Sequence, residues 1–190
     1  RPVLAAYLEP EEVRLLLAKP DASSPSGLRD LALLLLLYNT GARVGEALAV
    51  RPDDMCLVPP RHVRLHGKGG KDRICPLWKE TAGAIDRLLG FNPAQSASLV
   101  FRNARGEPLS RDGVSYLLGK YLRLCRAEIP TLAQRRITPH SLRHSCAVAL
   151  LQAGVDLTVI RDYLGHASVA TTSRYVATNL NMKRTALEAF

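Results

Sequence analysis

The sequence predicts a mainly α-helical fold carrying one small antiparallel β-sheet, an α+β class. Three observations predict it. Apolar positions recur at helical spacing over most of the 190 residues, and the breaks between them fall on Gly, Pro, Ser and Asp. One stretch, about residues 55–77, instead alternates apolar and polar residues. The composition, 47% apolar and 23% charged, is that of an ordinary globular domain long enough to bury one core.

The elements follow in order. Pro10 suits the first turn of a helix carrying Val13, Leu16 and Leu17. A second helix is expected over about 26–39. Its run Leu33 to Leu37 is apolar all round, which places it at the centre of the molecule. Thr40-Gly41 breaks it, a short helix follows over about 43–50, and Pro52 ends that one. His62, Arg64 and His66 then alternate with Val63 and Leu65, which is strand periodicity. Gly67-Lys68-Gly69-Gly70-Lys71 reads as a turn, residues 73–77 return as the second strand of a hairpin, and 55–58 is the candidate for a third. Helices resume at about 79–89, 111–127, 141–153, 157–164 and 168–178, with a last one near 181–189. Gly154 and Gly165 are the expected stops, Asp156 and Ser168 the expected N-caps, and 90–98 a loop.

The charge is uneven. The net charge is +9, but residues 1–60 carry 6 basic and 8 acidic side chains, whereas residues 61–190 carry 20 and 9. A basic field confined to part of a domain points to a polyanionic partner, nucleic acid first. The longest apolar run, residues 31–38, is far short of a membrane span, so no membrane partner is expected. Cys56, Cys75, Cys125 and Cys146 lie far apart with no C-x-x-C pair, which argues against a zinc ribbon or a disulfide framework and suits a reducing compartment.

Several short motifs hold the residues with chemical potential. In His140-Ser141-Leu142-Arg143-His144, His140 and Arg143 lie one helical turn apart and share a face. His140 and His144 have the spacing of zinc ligands, and His166 could complete a three-histidine site; however, Ser141 stands where a zinc hydrolase would carry its catalytic Glu. Arg43 and Glu46 can pair at i, i+3. Lys68 sits in a Gly-rich hairpin tip that can approach another molecule closely. Leu164-Gly165-His166 is followed by Tyr175. Arginines, a lysine and histidines without a matching carboxylate cluster suit a phosphodiester whose transition state gathers charge on its non-bridging oxygens. A tyrosine hydroxyl can attack the phosphorus covalently. Nothing in this set calls for a metal or another cofactor.

These motifs, in this order, resemble the catalytic domain of the tyrosine recombinases, the phage-integrase family that includes the Xer-type recombinases. Thr40-Gly41-Ala42-Arg43-Val44-Gly45-Glu46 is similar to the first arginine box, and residues 67–73 to the lysine hairpin. His140 to Arg143 with His144 is similar to the second box. Residues 153–156, Leu164-Gly165-His166 and residues 171–175 are similar to the C-terminal run. The resemblance implies a site-specific DNA strand transferase, independent of ATP and metal. Tyr175 would form a 3′-phosphotyrosyl link, and Arg43 and Arg143 would hold the non-bridging oxygens. Lys68 would protonate the leaving 5′-oxygen, with Lys71 as competitor. His140 would assist proton transfer at the tyrosine and His166 would hydrogen-bond the phosphate. Glu46 and His144 would be structural supports.

The same resemblance implies that residues 1–190 are one catalytic domain, with the usual N-terminal core-binding domain absent from this chain. The expected partners are double-stranded DNA and other recombinase protomers in a tetramer on DNA, the C-terminal helix with Met182, Leu187 and Phe190 docking in trans. The expected location is the bacterial cytoplasm, at the nucleoid. Two departures stand out: Val176-Ala177 follow the tyrosine, and Cys146 sits where an aromatic is common. Arg61, Arg64, Lys71, Arg73, Arg102, Arg105, Arg111, Arg135 and Arg136 are expected along the DNA backbone, with affinity that falls as salt rises. The alternatives are a type IB topoisomerase-like nicking-closing activity, a non-catalytic DNA-binding module of the same fold, and, as the outsider, a zinc hydrolase.

Overall fold

The computed structural model describes residues 6–67, 69–91 and 98–165. Seven helices and a three-stranded sheet run through these residues. They are α1 (Pro10–Leu17), α2 (Pro25–Thr40), α3 (Val44–Leu48), β1 (Met55–Cys56), β2 (His62–His66), β3 (Asp72–Pro76), α4 (Lys79–Phe91), α5 (Arg111–Cys125), α6 (Pro139–Gln152) and α7 (Leu157–Leu164). Short 3₁₀ turns at Pro52–Asp54 and Pro130–Gln134 complete the chain. The expected helices at 168–178 and 181–189, and the Ser168 cap, lie outside the described residues.

The centre is α2, as its all-round leucine run requires. Leu28 and Leu33 to Leu37 are buried, and α4 and α6 pack on it. Its start is fixed by Pro25 in the first turn and by the Ser24 hydroxyl, which accepts the Gly27 N–H at 3.1 Å. Its end is fixed by Gly41 at φ 59°, a left-handed conformation open to glycine at little cost. The chain leaves that cap straight into Arg43.

The sheet is antiparallel in the order β1-β2-β3. Val63 pairs with Cys75 and turns inward with Leu65, while Arg64 and Ile74 face outward. The period of two is thus converted into one buried and one exposed face.

A smaller apolar cluster of Cys146, Ala147, Val148, Leu151, Ile160 and Leu164 joins α6 to α7, with Tyr38 and Tyr163 bridging it to the main core. The expected caps of α7 hold: Asp156 accepts the Thr158 N–H at 2.7 Å and Gly165 closes the helix at φ 64°. Boundaries differ from expectation mainly where proline acts. Pro139 enters the first turn of α6, so His140 lies inside the helix. Residues 126–127 fall outside α5, which ends at Cys125, and the 3₁₀ turn at Pro130 follows. None of the four cysteines is paired, and three are buried. Among the described residues no helix is long and apolar enough to cross a membrane.

Candidate active site

The first arginine box is built around two polar side chains that the core has taken in. Thr40 is fully buried; its hydroxyl donates to the Leu36 carbonyl at 2.7 Å and accepts the Ala42 N–H at 3.2 Å. It thereby stitches the end of α2 to the turn that presents Arg43. Glu46, also buried, then organises three donors. Its Oε2 accepts the Arg43 N–H at 2.8 Å and an Arg73 N–H at 2.8 Å, and its Oε1 accepts Arg43 Nη1 at 2.9 Å. Burial alone would raise the Glu46 carboxyl, but the hydrogen bonds from Arg73 and Arg43 outweigh it and the pKa is lowered. Glu46 is therefore an ionised carboxylate already spent on two arginines.

Arg73 corrects an expectation. It is turned away from solvent rather than displayed on the surface. Its side chain is 9% exposed, and besides Glu46 it donates from Nε to the Tyr163 carbonyl at 3.0 Å. It links β3, α3 and α7 behind the site. The inward turn follows from the register, since Arg73 pairs with the buried Leu65 and shares its face. Arg135 is half-buried; it donates to the Tyr7 carbonyl at 3.0 Å and pairs with Glu12, tying the residues before α6 to α1. Arg64, Lys71, Arg105, Arg111 and Arg136 are exposed, whereas Arg61 and Arg102 are half-buried, Arg102 donating to the Leu99 carbonyl.

Arg143 is the largest of the fully buried side chains, 1% exposed. Its Nη1 donates to the Gly41 carbonyl at 2.5 Å and its Nη2 to the Leu164 carbonyl at 2.6 Å. Both carbonyls belong to C-terminal helix ends, the negative poles of α2 and α7. Backbone dipoles thus hold this cation, with the second box locked against the first and against the residues that precede His166.

Arg43, Glu46, His66, Arg111 and His140 line an open cleft of about 560 Å³. Gly45 makes room for Arg111 there; a Cβ on Gly45 would lie 2.9 Å from an Arg111 guanidinium nitrogen. Arg43 is half-exposed and lines the cleft, whereas Arg143 is buried. The His140 ring meets solvent at the rim. Desolvation of its inner side, then the positive charges of Arg143 and Arg43, push its pKa down. A neutral imidazole at this position can accept a proton. The His140 and His144 rings stand edge to face with centroids 4.5 Å apart. Among the described residues no three His, Cys, Asp or Glu side chains gather as a metal site. Cys146 is buried against the Asn39 carbonyl, and burial pushes its thiol up to about 12. Lys68, His166 and Tyr175 lie outside the described residues.

One cluster escaped the sequence reading: the His66 ring lies between Asp54 and Asp72, 2.9 Å from each. The Asp72 contact was available from the hairpin, which sets His66 opposite Asp72. The Asp54 contact joins segments twelve residues apart and had no periodic signal.

A profile of the Phage integrase family matches residues 6–182. The chain is 42% identical over 184 residues to y4rC of Sinorhizobium fredii, provisionally named an integrase/recombinase, covering 97% of this chain and 55% of that protein. It is 37% identical over 177 residues to tyrosine recombinase XerD of Staphylococcus haemolyticus, covering 90% of this chain and 58% of that one. Among solved structures, the XerH site-specific recombinase bound to a palindromic difH substrate superposes with a TM-score of 0.78 at 26% identity, over 97% of this chain and 53% of that one. The chain spans a little over half the length of the curated relatives it matches.

Proposed function

This chain belongs to the phage integrase family, and from that premise we propose that it is the catalytic domain of a site-specific DNA recombinase. One observation supports the reading above others. Arg43, Arg111 and His140 surround one open cleft, and among the described residues the one carboxylate lining it, Glu46, is paired with Arg43 beside it and with Arg73. Such a cleft accepts a phosphodiester and repels little of its charge.

In this reading the Tyr175 hydroxyl attacks the scissile phosphorus. A new bond forms between its oxygen and phosphorus, and the bond to the 5′-oxygen breaks. His140, held neutral, receives the tyrosine proton, and Lys68 gives one to the leaving 5′-oxygen, with Lys71 as the other candidate. Arg43 holds a non-bridging oxygen directly. Arg143 supplies charge from beneath and fixes the backbone of Gly41 and Leu164. His166 is assigned to the phosphate. The 5′-hydroxyl of a partner strand then reverses the attack, so the bond energy is retained and ATP is not needed. The exposed arginines and Lys71 track the flanking backbone. The similarity to XerH, a site-specific recombinase bound to its palindromic difH substrate, supports a DNA substrate. Met182, Leu187 and Phe190 are assigned to contacts between protomers assembled on DNA.

The test is a nicked suicide duplex incubated with the protein and resolved under denaturing conditions. A protein–DNA adduct should form, and Tyr175→Phe should abolish it while DNA binding persists. An adduct that survives in Tyr175→Phe sinks the nucleophile assignment, and its absence from the unaltered protein sinks the reaction.

A further inference from the structure

The cluster at the base of the lysine hairpin has no part in these roles. His66 is the last residue of β2 and Asp72 the first of β3, and they face each other in register. His66 Nδ1 lies 2.9 Å from Asp72 Oδ2, and Nε2 lies 2.9 Å from Asp54 Oδ1. An ionised carboxylate has only acceptors, so each contact needs an N–H on the ring. A neutral imidazole carries one and the imidazolium two. Asp54 is itself fixed, because its Oδ2 accepts the Arg51 N–H at 2.9 Å. The His66 ring thus joins the 3₁₀ turn at Pro52–Asp54 to both strands of the hairpin.

The loop above this junction, residues 67–71, carries Lys68 and Lys71. It is closed by the Gly67 N–H donating to the Lys71 carbonyl at 3.2 Å. Gly69 and Gly70 turn with φ of 75° and 71°, and a Cβ added to either would meet nothing within 4 Å. The tip at these two glycines gains no packing of its own, so its direction must be set at its base.

We propose that His66, as an imidazolium clamped between Asp54 and Asp72, is the positioning residue that aims the lysine loop at the cleft. The inference rests on the proton-donor role proposed for that loop. Hydrogen bonds to Asp54 and then Asp72 hold the ring above its ordinary pKa of 6.5. Among the described residues, other charged or titratable groups near it include Arg43, Glu46, Arg111 and His140 at the cleft, Arg51 beside Asp54, and Arg64 on its own strand. The clamp is complete below pH 6.5 and is released as pH rises through the higher folded-state value.

Two substrates separate positioning from mere support. One is the ordinary suicide duplex; the other carries sulfur in place of the leaving 5′-oxygen, and sulfur departs without needing a proton. His66→Gln should form adduct about tenfold more slowly on the oxygen substrate and within about twofold of the unaltered rate on the sulfur substrate. Asp72→Asn should behave alike, and the oxygen-substrate deficit should narrow as pH rises. Equal slowing on both substrates, or none on either, overturns the proposal. Lys68→Ala and Lys71→Ala test the underlying reading separately: if sulfur rescues neither, the proton-donor role fails. The clamp has its own readout in the ring ¹⁵N resonances of His66, which should be mostly those of an imidazolium at pH 6.5 and should titrate lower in Asp72→Asn. A mostly neutral ring at that pH overturns it.

Discussion

Arg43 and Arg143 belong to the two arginine boxes, yet the molecule holds them by opposite means. Arg43 is paired with a carboxylate, stands half in solvent and opens onto the cleft. Arg143 is fully buried and donates to the carbonyls that end α2 and α7. One cation is positioned by an ion pair that a ligand can rearrange. The other is built into the junction of three helices, where the fold and the charge of the site depend on the same side chain. The two arginines should therefore have unequal effects on stability.

The largest effect should come from Arg143→Ala. It leaves the buried Gly41 and Leu164 carbonyls without these donors, at about 1–3 kcal/mol each, and opens a cavity between α2, α6 and α7. A loss of about 3 kcal/mol or more is expected, lowering Tm by roughly 6–12 °C. Calorimetry or thermal circular dichroism reads it directly. A loss below about 1 kcal/mol would erase the contrast, because Arg143 would then behave like a surface cation.

Glu46→Gln comes next, at about 2 kcal/mol in urea unfolding at neutral pH. An amide cannot neutralise Arg73, which is largely shielded beside it, and its NH₂ would face donors. The pH dependence has a definite sign. The folded-state pKa lies below the ordinary 4.5, so the carboxylate's contribution is complete above 4.5 and is lost as pH falls through the folded value. The gap between the two proteins should therefore be full at pH 7 and narrow below pH 4.5. A constant gap at all pH values would show that packing rather than charge sets the cost.

The sequence made much of this arrangement readable, and for physical reasons. The five all-apolar positions of α2 could only be central, and the alternation at 62–66 could only be a half-buried strand. The Arg43–Glu46 pair followed from helical spacing. Arg73 was misplaced because composition treats every surplus arginine as solvent-facing, whereas strand register turns this one inward to Glu46 and Tyr163. The partners of Arg143 are backbone carbonyls, which leave no trace in side-chain patterns. Asp54 reaches His66 across a chain reversal, beyond any local period. Contacts within one element or across one tight turn were legible; those that need two elements to meet were not.

The smallest effect on stability belongs to Arg43→Ala, and it sharpens the comparison most. Removing this side chain leaves Glu46 with Arg73 Nη2 and with the residue 43 N–H, which alanine retains. The lost pair is half-exposed, so the cost should stay within about 1 kcal/mol. Adduct formation should fall nonetheless by about a hundredfold or more, the scale of losing one preorganised donor to a developing oxyanion. A near-native unfolding curve beside a lost reaction would place Arg43 at the phosphate. Arg143→Ala cannot give that result, because its loss of activity arrives together with a loss of fold. If Arg43→Ala instead unfolds as readily as Arg143→Ala, the carboxylate-held arginine is as much a part of the scaffold as the carbonyl-held one, and the division between them fails.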